Sequence, residues 1–208
     1  MIQRKRLAAA LLSLTMAFAA VYPAVPSFAA AWERNANGSY VAADGSALTG
    51  ITARGIDVSH WKQSINWNAV AADDVQRQMC IRDRYNNEVD PYFSVNAVNA
   101  FNAGLKVGAY IYSYATTTAA AEAEADFVLN LIKDYPISYP VVLDVESTEM
   151  SALTPAQLAD VINAFCKKVE AAGYYPMVYT NDYWLSQKID MTKVPYDVWV
   201  ARYNAKPA

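Results

Sequence analysis

The sequence predicts an α/β fold built on parallel strands. Three observations predict it. From Arg54 onward, short apolar strands alternate with amphipathic helices, the order of βα units. The run Tyr139–Glu146 (YPVVLDVE) is apolar on both faces, the pattern of a strand covered on both sides. That run and Arg54–His60 (RGIDVSH) both carry acids toward their ends. Strand-end acids fit α/β barrels, which hold their chemistry at the C-terminal ends of the strands.

Taken in order, Met1–Ala31 reads as a secretory signal, which implies a secreted or cell-wall-associated protein. Arg4, Lys5 and Arg6 form a basic start, and Leu7–Ala20 an apolar stretch short for a membrane span. Ser27–Ala29 offers a cleavage site; the alternative is an uncleaved anchor. Residues 32–52 show no sustained period and read as a linker or mature N-terminal tail. Asn66 caps a helix through Ala72, with Trp67 and Val70 inward. Asp90-Pro91 starts another, with Phe93, Ala97, Val98 and Phe101 as its stripe and Gly104 as its stop. Lys106–Tyr114 is a strand. Thr118–Lys133 is a helix striped by Ala125, Val128, Leu129 and Ile132. After the acid strand, Thr154–Gln157 is a capping box opening a helix with Leu158, Val161, Ile162, Phe165 and Val169 inward. Tyr175–Thr180 is a strand, Asp182–Lys188 a short helix and Asp197–Tyr203 a last strand.

The chain of 208 residues has a formal net charge of −3. No basic run suggests nucleic acid. No His/Cys cluster has metal spacing and no Gly-rich phosphate loop is present, so no cofactor is expected. Tyr is abundant, with 15 residues beside five Trp, enough to supply stacking faces for sugars as well as core.

On the acid strand, alternation puts Val142, Asp144 and Glu146 on one face and Val141, Leu143 and Val145 on the other. Asp144 and Glu146 then stand about 6–7 Å apart along the backbone. Two acids so placed suit one glycosidic bond. The plain alternative is a pair of strand-end ion-pair partners or loop caps. Asp126, Asp160 and Glu170 fall on helices and read as solvated charges. His60, the only His, reads as a rim or packing residue.

One segment departs from the alternation. A central strand is due at Val75–Arg84, yet VQRQMCIRDR holds three Arg, two Gln and an Asp. Gln78–Arg84 also back-translates to CAGATGTGTATAAGAGACAG plus one base, which contains the mosaic end of a transposon-based sequencing adaptor. The expectation is a corrupted second strand, with an exposed edge strand as the alternative. Cys80 then lies in foreign sequence, and Cys166 is a buried thiol rather than its disulfide partner.

These motifs resemble those of glycoside hydrolase family 25, the muramidase-type lysozymes. Gly55–Trp61 (GIDVSHW) with Ile65–Trp67 resembles the family's first strand and helix. Gly108–Ser113 (GAYIYS), Leu143–Glu146 (LDVE), Val178–Thr180 and Trp199–Tyr203 (WVARY) resemble later strands. The resemblance implies a flattened TIM-like β/α barrel over residues 53–208, incomplete because the second strand is corrupted and the chain stops before the last. It implies hydrolysis of the β-1,4 bond from N-acetylmuramic acid to N-acetylglucosamine in peptidoglycan. Carried over by position, Glu146 is the general acid, and Asp144 and Asp57 are the assisting carboxylates. Tyr112, Tyr179, Trp199 and Tyr203 are the candidate sugar contacts. The expected partner is the peptidoglycan glycan strand, bound by a monomer; the rival is a non-catalytic peptidoglycan-binding barrel.

Overall fold

The computed structural model describes residues 32–42, 45–51, 53–73, 77–80, 83–84 and 88–201. The expected signal segment and Tyr203 lie outside the described residues.

The first described residues form a hairpin, β1 (Trp32–Arg34) against β2 (Tyr40–Ala42). The stretch read as a linker or mature N-terminal tail thus includes a paired hairpin. Turn chemistry makes it: the Asn35 side-chain oxygen accepts from the backbone N–H groups of Asn37 (3.0 Å) and Ser39 (2.9 Å). Gly38 takes φ 81°, which a side chain would resist. Such local bonding leaves no hydrophobic period to read.

The main sheet begins with β3 (Gly55–Val58), followed by helix α1 (Trp67–Ala72) and strand β4 (Arg77–Cys80). A small antiparallel pair follows, β5 (Asp83–Arg84) with β6 (Glu88–Val89). Then come α2 (Phe93–Asn102), β7 (Lys106–Tyr112), α3 (Thr118–Ile132) and β8 (Ile137–Asp144). The chain continues through α4 (Pro155–Ala171), β9 (Pro176–Asn181), α5 (Asp182–Gln187) and β10 (Asp197–Ala201). The six-stranded sheet runs β10-β9-β8-β7-β4-β3, and every pair is parallel. Each strand lies beside its predecessor in the chain, as successive βα units require. Among the described residues β3 and β10 are its two edges.

The position of β4 corrects the edge-strand alternative for Val75–Arg84. Arg77–Cys80 is neither absent nor an edge; it pairs with β3 on one side and β7 on the other. Parallel pairing uses backbone groups, so polar composition does not forbid it.

The two faces of the sheet differ. Val107, Ala109, Ile111, Val141, Leu143, Val145 and Val178 pack with the helices in one apolar cluster. Phe93, Ala97, Val128, Ile132, Leu158, Ile162 and Phe165 are the helices' contribution. Alternation turns Tyr110, Tyr112, Val142, Asp144, Met177 and Tyr179 to the other face. Val142 is also fully buried, so β8 is covered on both faces as its sequence predicts.

The helical stripes match the sequence except in α2. Val98 and Phe101 were expected inside but are 42% and 49% exposed, while Asn96 is buried. The cause is a specific bond: Asn96 Oδ1 accepts from Trp67 Nε1 at 3.1 Å and so turns this side of α2 inward.

At α4 the predicted capping box is present. Gln157 N–H donates to Thr154 Oγ1 (3.3 Å) and Thr154 N–H to Gln157 Oε1 (3.0 Å), with Pro155 at the first turn. Thr154→Ala removes the hydroxyl acceptor and is expected to cost about 1 kcal/mol. A thermal melt should then fall by about 2–4 °C; an unchanged melt would show that the cap contributes nothing.

Candidate active site

Parallel register brings four of the predicted residues into one row. Tyr112 of β7 stands opposite Asp144 of β8, Asp144 opposite Tyr179 of β9, and Tyr179 opposite Trp199 of β10. Tyr112 and Asp144 end their strands, Tyr179 lies in the second half of β9 and Trp199 at the middle of β10, all on the face turned away from the helical core. The Tyr179 and Trp199 rings meet edge-on, with centroids 4.8 Å apart. The Tyr112 ring lies 5.1 Å from that of Tyr114.

The backbone around the acids is held from both sides. Ser113 N–H donates to Asp144 O at 3.0 Å, and Val145 N–H donates to Tyr179 O at 2.8 Å. The buried Thr180 Oγ1 donates to Val145 O at 2.7 Å. These bonds fix the turn that carries the chain from Asp144 to Glu146. Asp144 is buried, 7% exposed, whereas Glu146 is half-buried and nearer solvent.

Asn181 reaches Glu146 and was not foreseen. Its Nδ2 donates to Glu146 Oε2 at 3.4 Å, a long bond, while its Oδ1 accepts from Trp184 N–H at 3.1 Å. One side chain thus caps α5 and steadies the acid. The signal available was its place just before the predicted helix at Asp182.

Asp57 lies on β3, at the far edge of the sheet. A cavity of about 360 Å³ is lined by Gly55 and Asp57 of β3 together with Trp199 of β10. Tyr139 and Met177 complete its wall. Residues from opposite edges sharing one cavity means that the sheet curls around its inner face. Among the predicted site residues only Tyr203 has no described position.

The residues set aside by sequence also have places. His60 opens a 3₁₀ turn (His60–Lys62) beyond β3, its ring 4.5 Å from Trp61. Asp126, Asp160 and Glu170 are exposed. Cys166 is a free, buried thiol, pushed up to about 12 by burial and then by the nearby Glu170, so it carries no thiolate chemistry near neutrality. Among the described residues no group of three or more His, Cys, Asp or Glu is placed to hold a metal ion.

The profile of the family described as Glycosyl hydrolases family 25 matches residues 56–208. The chain belongs to glycosyl hydrolase family 25. An uncharacterized protein, YegX, of Escherichia coli O157:H7 is 32% identical over 158 residues, covering 73% of this chain and 57% of that protein. Lysozyme M1 of Streptomyces globisporus is 32% identical over 139 residues, covering 63% and 47%. The chain therefore spans about half the length of these curated relatives. Among solved structures, the bacterial lysozyme from Streptomyces coelicolor is similar at TM-score 0.59 and 27% identity, covering 76% of this chain and 79% of that one. The modular autolysin LytC from Streptococcus pneumoniae is similar in fold, with TM-score 0.72 and 24% identity over 85% of this chain and 44% of that one.

Proposed function

We propose that this family 25 chain hydrolyses peptidoglycan at the β-1,4 bond from N-acetylmuramic acid to N-acetylglucosamine. One observation carries the reading: Asp144 stands in a register row with the aromatic side chains Tyr112, Tyr179 and Trp199, and Glu146, two residues on, is met by Asn181 of β9. The aromatic row offers apolar faces to pyranose rings, and Asp144 stands within it. Relatives described as lysozymes support the same bond.

In this mechanism Glu146 protonates the leaving oxygen, which suits its position nearer solvent. Asp144 is the assisting carboxylate, which stabilises the oxocarbenium-like state or polarises the substrate's N-acetyl group. Asp57 approaches from the opposite edge and holds water or tunes the pair. The curled sheet is then the larger part of a flattened β/α barrel, and the protein acts outside the cell on the wall, as its N-terminal signal pattern implies.

The test is a digest of purified peptidoglycan, with new ends reduced by borohydride and identified by mass spectrometry. New N-acetylmuramitol ends are expected. N-acetylglucosaminitol ends would assign a different bond. Saccharide binding with no new ends would make this a binding module.

A further inference from the structure

A buried carboxylate that the mechanism does not use lies behind the sheet. Glu124 is on α3, in a stretch otherwise rich in alanine, and is only 8% exposed. Its Oε2 accepts from Ser113 Oγ at 2.6 Å, and its Oε1 accepts from the backbone N–H of Tyr114 at 2.9 Å. Ser113 Oγ in turn accepts from Ala115 N–H at 3.2 Å. Every one of these bonds falls on the three residues directly after β7. That segment is where the candidate site begins. Ser113 is fully buried toward the helices, while Tyr112 and Tyr114 on either side are half-buried, their rings in contact. Ser113 N–H also donates to the carbonyl of Asp144.

We propose that Glu124 is a positioning residue of the active site, setting the Tyr112–Tyr114 aromatic pair and the backbone of Asp144 through Ser113. The inference rests on the proposed hydrolase reading, since that reading makes Tyr112 a sugar contact.

The physical case is one of cost and location. A carboxyl buried on a helix is expensive to keep. Burial raises its pKa above the ordinary carboxylate value, against the pull of the Ser113, Tyr114 and Ala115 donors. A core position would be better filled by an apolar residue unless the hydrogen bonds are needed. Here they replace the sheet ladder where it stops. β7 ends at Tyr112; Ser113 N–H still reaches Asp144 O of β8, while the N–H groups of Tyr114 and Ala115 are met by Glu124 and by Ser113 Oγ. Glu124 accepts one of them and steers a second through Ser113. The aromatic pair is thereby anchored to a helix rather than left on a free loop.

The test compares Glu124→Ala, Glu124→Gln and Ser113→Ala with the parent chain. Glutamine keeps an acceptor for Tyr114 N–H and an amide for Ser113 Oγ, so it should rescue. With a soluble peptidoglycan glycan fragment, Glu124→Ala is expected to raise KM about tenfold with a smaller change in kcat, the signature of lost binding geometry. Ser113→Ala, which leaves the Tyr114 bond in place, should raise KM in the same direction by less. Ring resonances of Tyr112 and Tyr114, read by NMR with labelled tyrosine, should shift in the two alanine variants and return in Glu124→Gln. A lowered melt with KM and both ring signals unchanged would overturn the proposal and leave Glu124 a fold residue. If Glu124→Ala does not fold, Ser113→Ala carries the same comparison. If the parent chain releases no new ends, the hydrolase reading fails, while the ring signals still decide whether Glu124 sets the aromatic pair.

Discussion

Replacing Glu146 by glutamine is expected to lower peptidoglycan turnover by about 10²–10⁴-fold, the usual worth of a positioned acid. Saccharide affinity should stay within about threefold, because the aromatic row is untouched and glutamine retains an oxygen for Asn181 Nδ2. The amide cannot give up a proton to the leaving oxygen, so the loss should fall on kcat. The fold should not suffer, since the backbone there is pinned by Thr180 and by the ladder to β9 rather than by the Glu146 side chain. Steady-state digestion of peptidoglycan beside a saccharide titration measures both quantities. Turnover equal to the parent would take the acid role away from Glu146.

The second large effect is on stability. Phe165 on α4 is fully buried in the cluster shared by α3, α4 and the sheet. Phe165→Ala is expected to cost about 3–5 kcal/mol, the sum of lost transfer energy and the cavity left behind. That is a large share of a domain's total stability of roughly 5–15 kcal/mol. Urea unfolding should show a lower midpoint with an unchanged slope, and the melt should fall by on the order of 10 °C. A loss under about 1 kcal/mol would mean that α4 closes over the gap. Phe165→Leu, which keeps most of the volume, should lose much less.

These expectations show which parts of the protein were legible in the sequence. The acid strand was, because alternation alone separates Val141, Leu143 and Val145 from Val142 and Asp144, and each set found its face. The helix from Pro155 was, because a capping box and an unbroken stripe agree. The row of Tyr112, Asp144, Tyr179 and Trp199 needed register, which only the paired strands supply. The α2 face was misread because a buried Asn96 satisfied by Trp67 looks, by type, like a surface residue. Glu124 and Asn181 were passed over for a related reason. Their importance lies in partners 10 and 35 residues away, and no local spacing carries that information. The strand at Arg77–Cys80 was discounted on side-chain type, though its pairing depends on backbone position.

That strand has a consequence for how the molecule opens. Among the described residues β3 meets the sheet through β4 alone, and β4 registers with β7 at three positions. Arg54 adds a tie from the start of β3 to the end of α1, with its Nη1 3.0 Å from Asp73 O. Beyond the ladder, this part of the chain is tied to the rest by Trp67, whose Nε1 donates to Asn96 of α2, and by Val58 and Trp67, which join the same buried cluster as β7–β9. The β7–β8–β9 block, backed by α3 and α4, forms the more deeply buried unit. Segments with few buried contacts open at lower free energy than the core does. Asp57 lies on β3, and Asp144 and Glu146 at the end of β8 and just beyond it. On the proposed reading, the three carboxylates come from the two sides of the β4–β7 pairing, so opening the sheet there is expected to separate Asp57 from the other two.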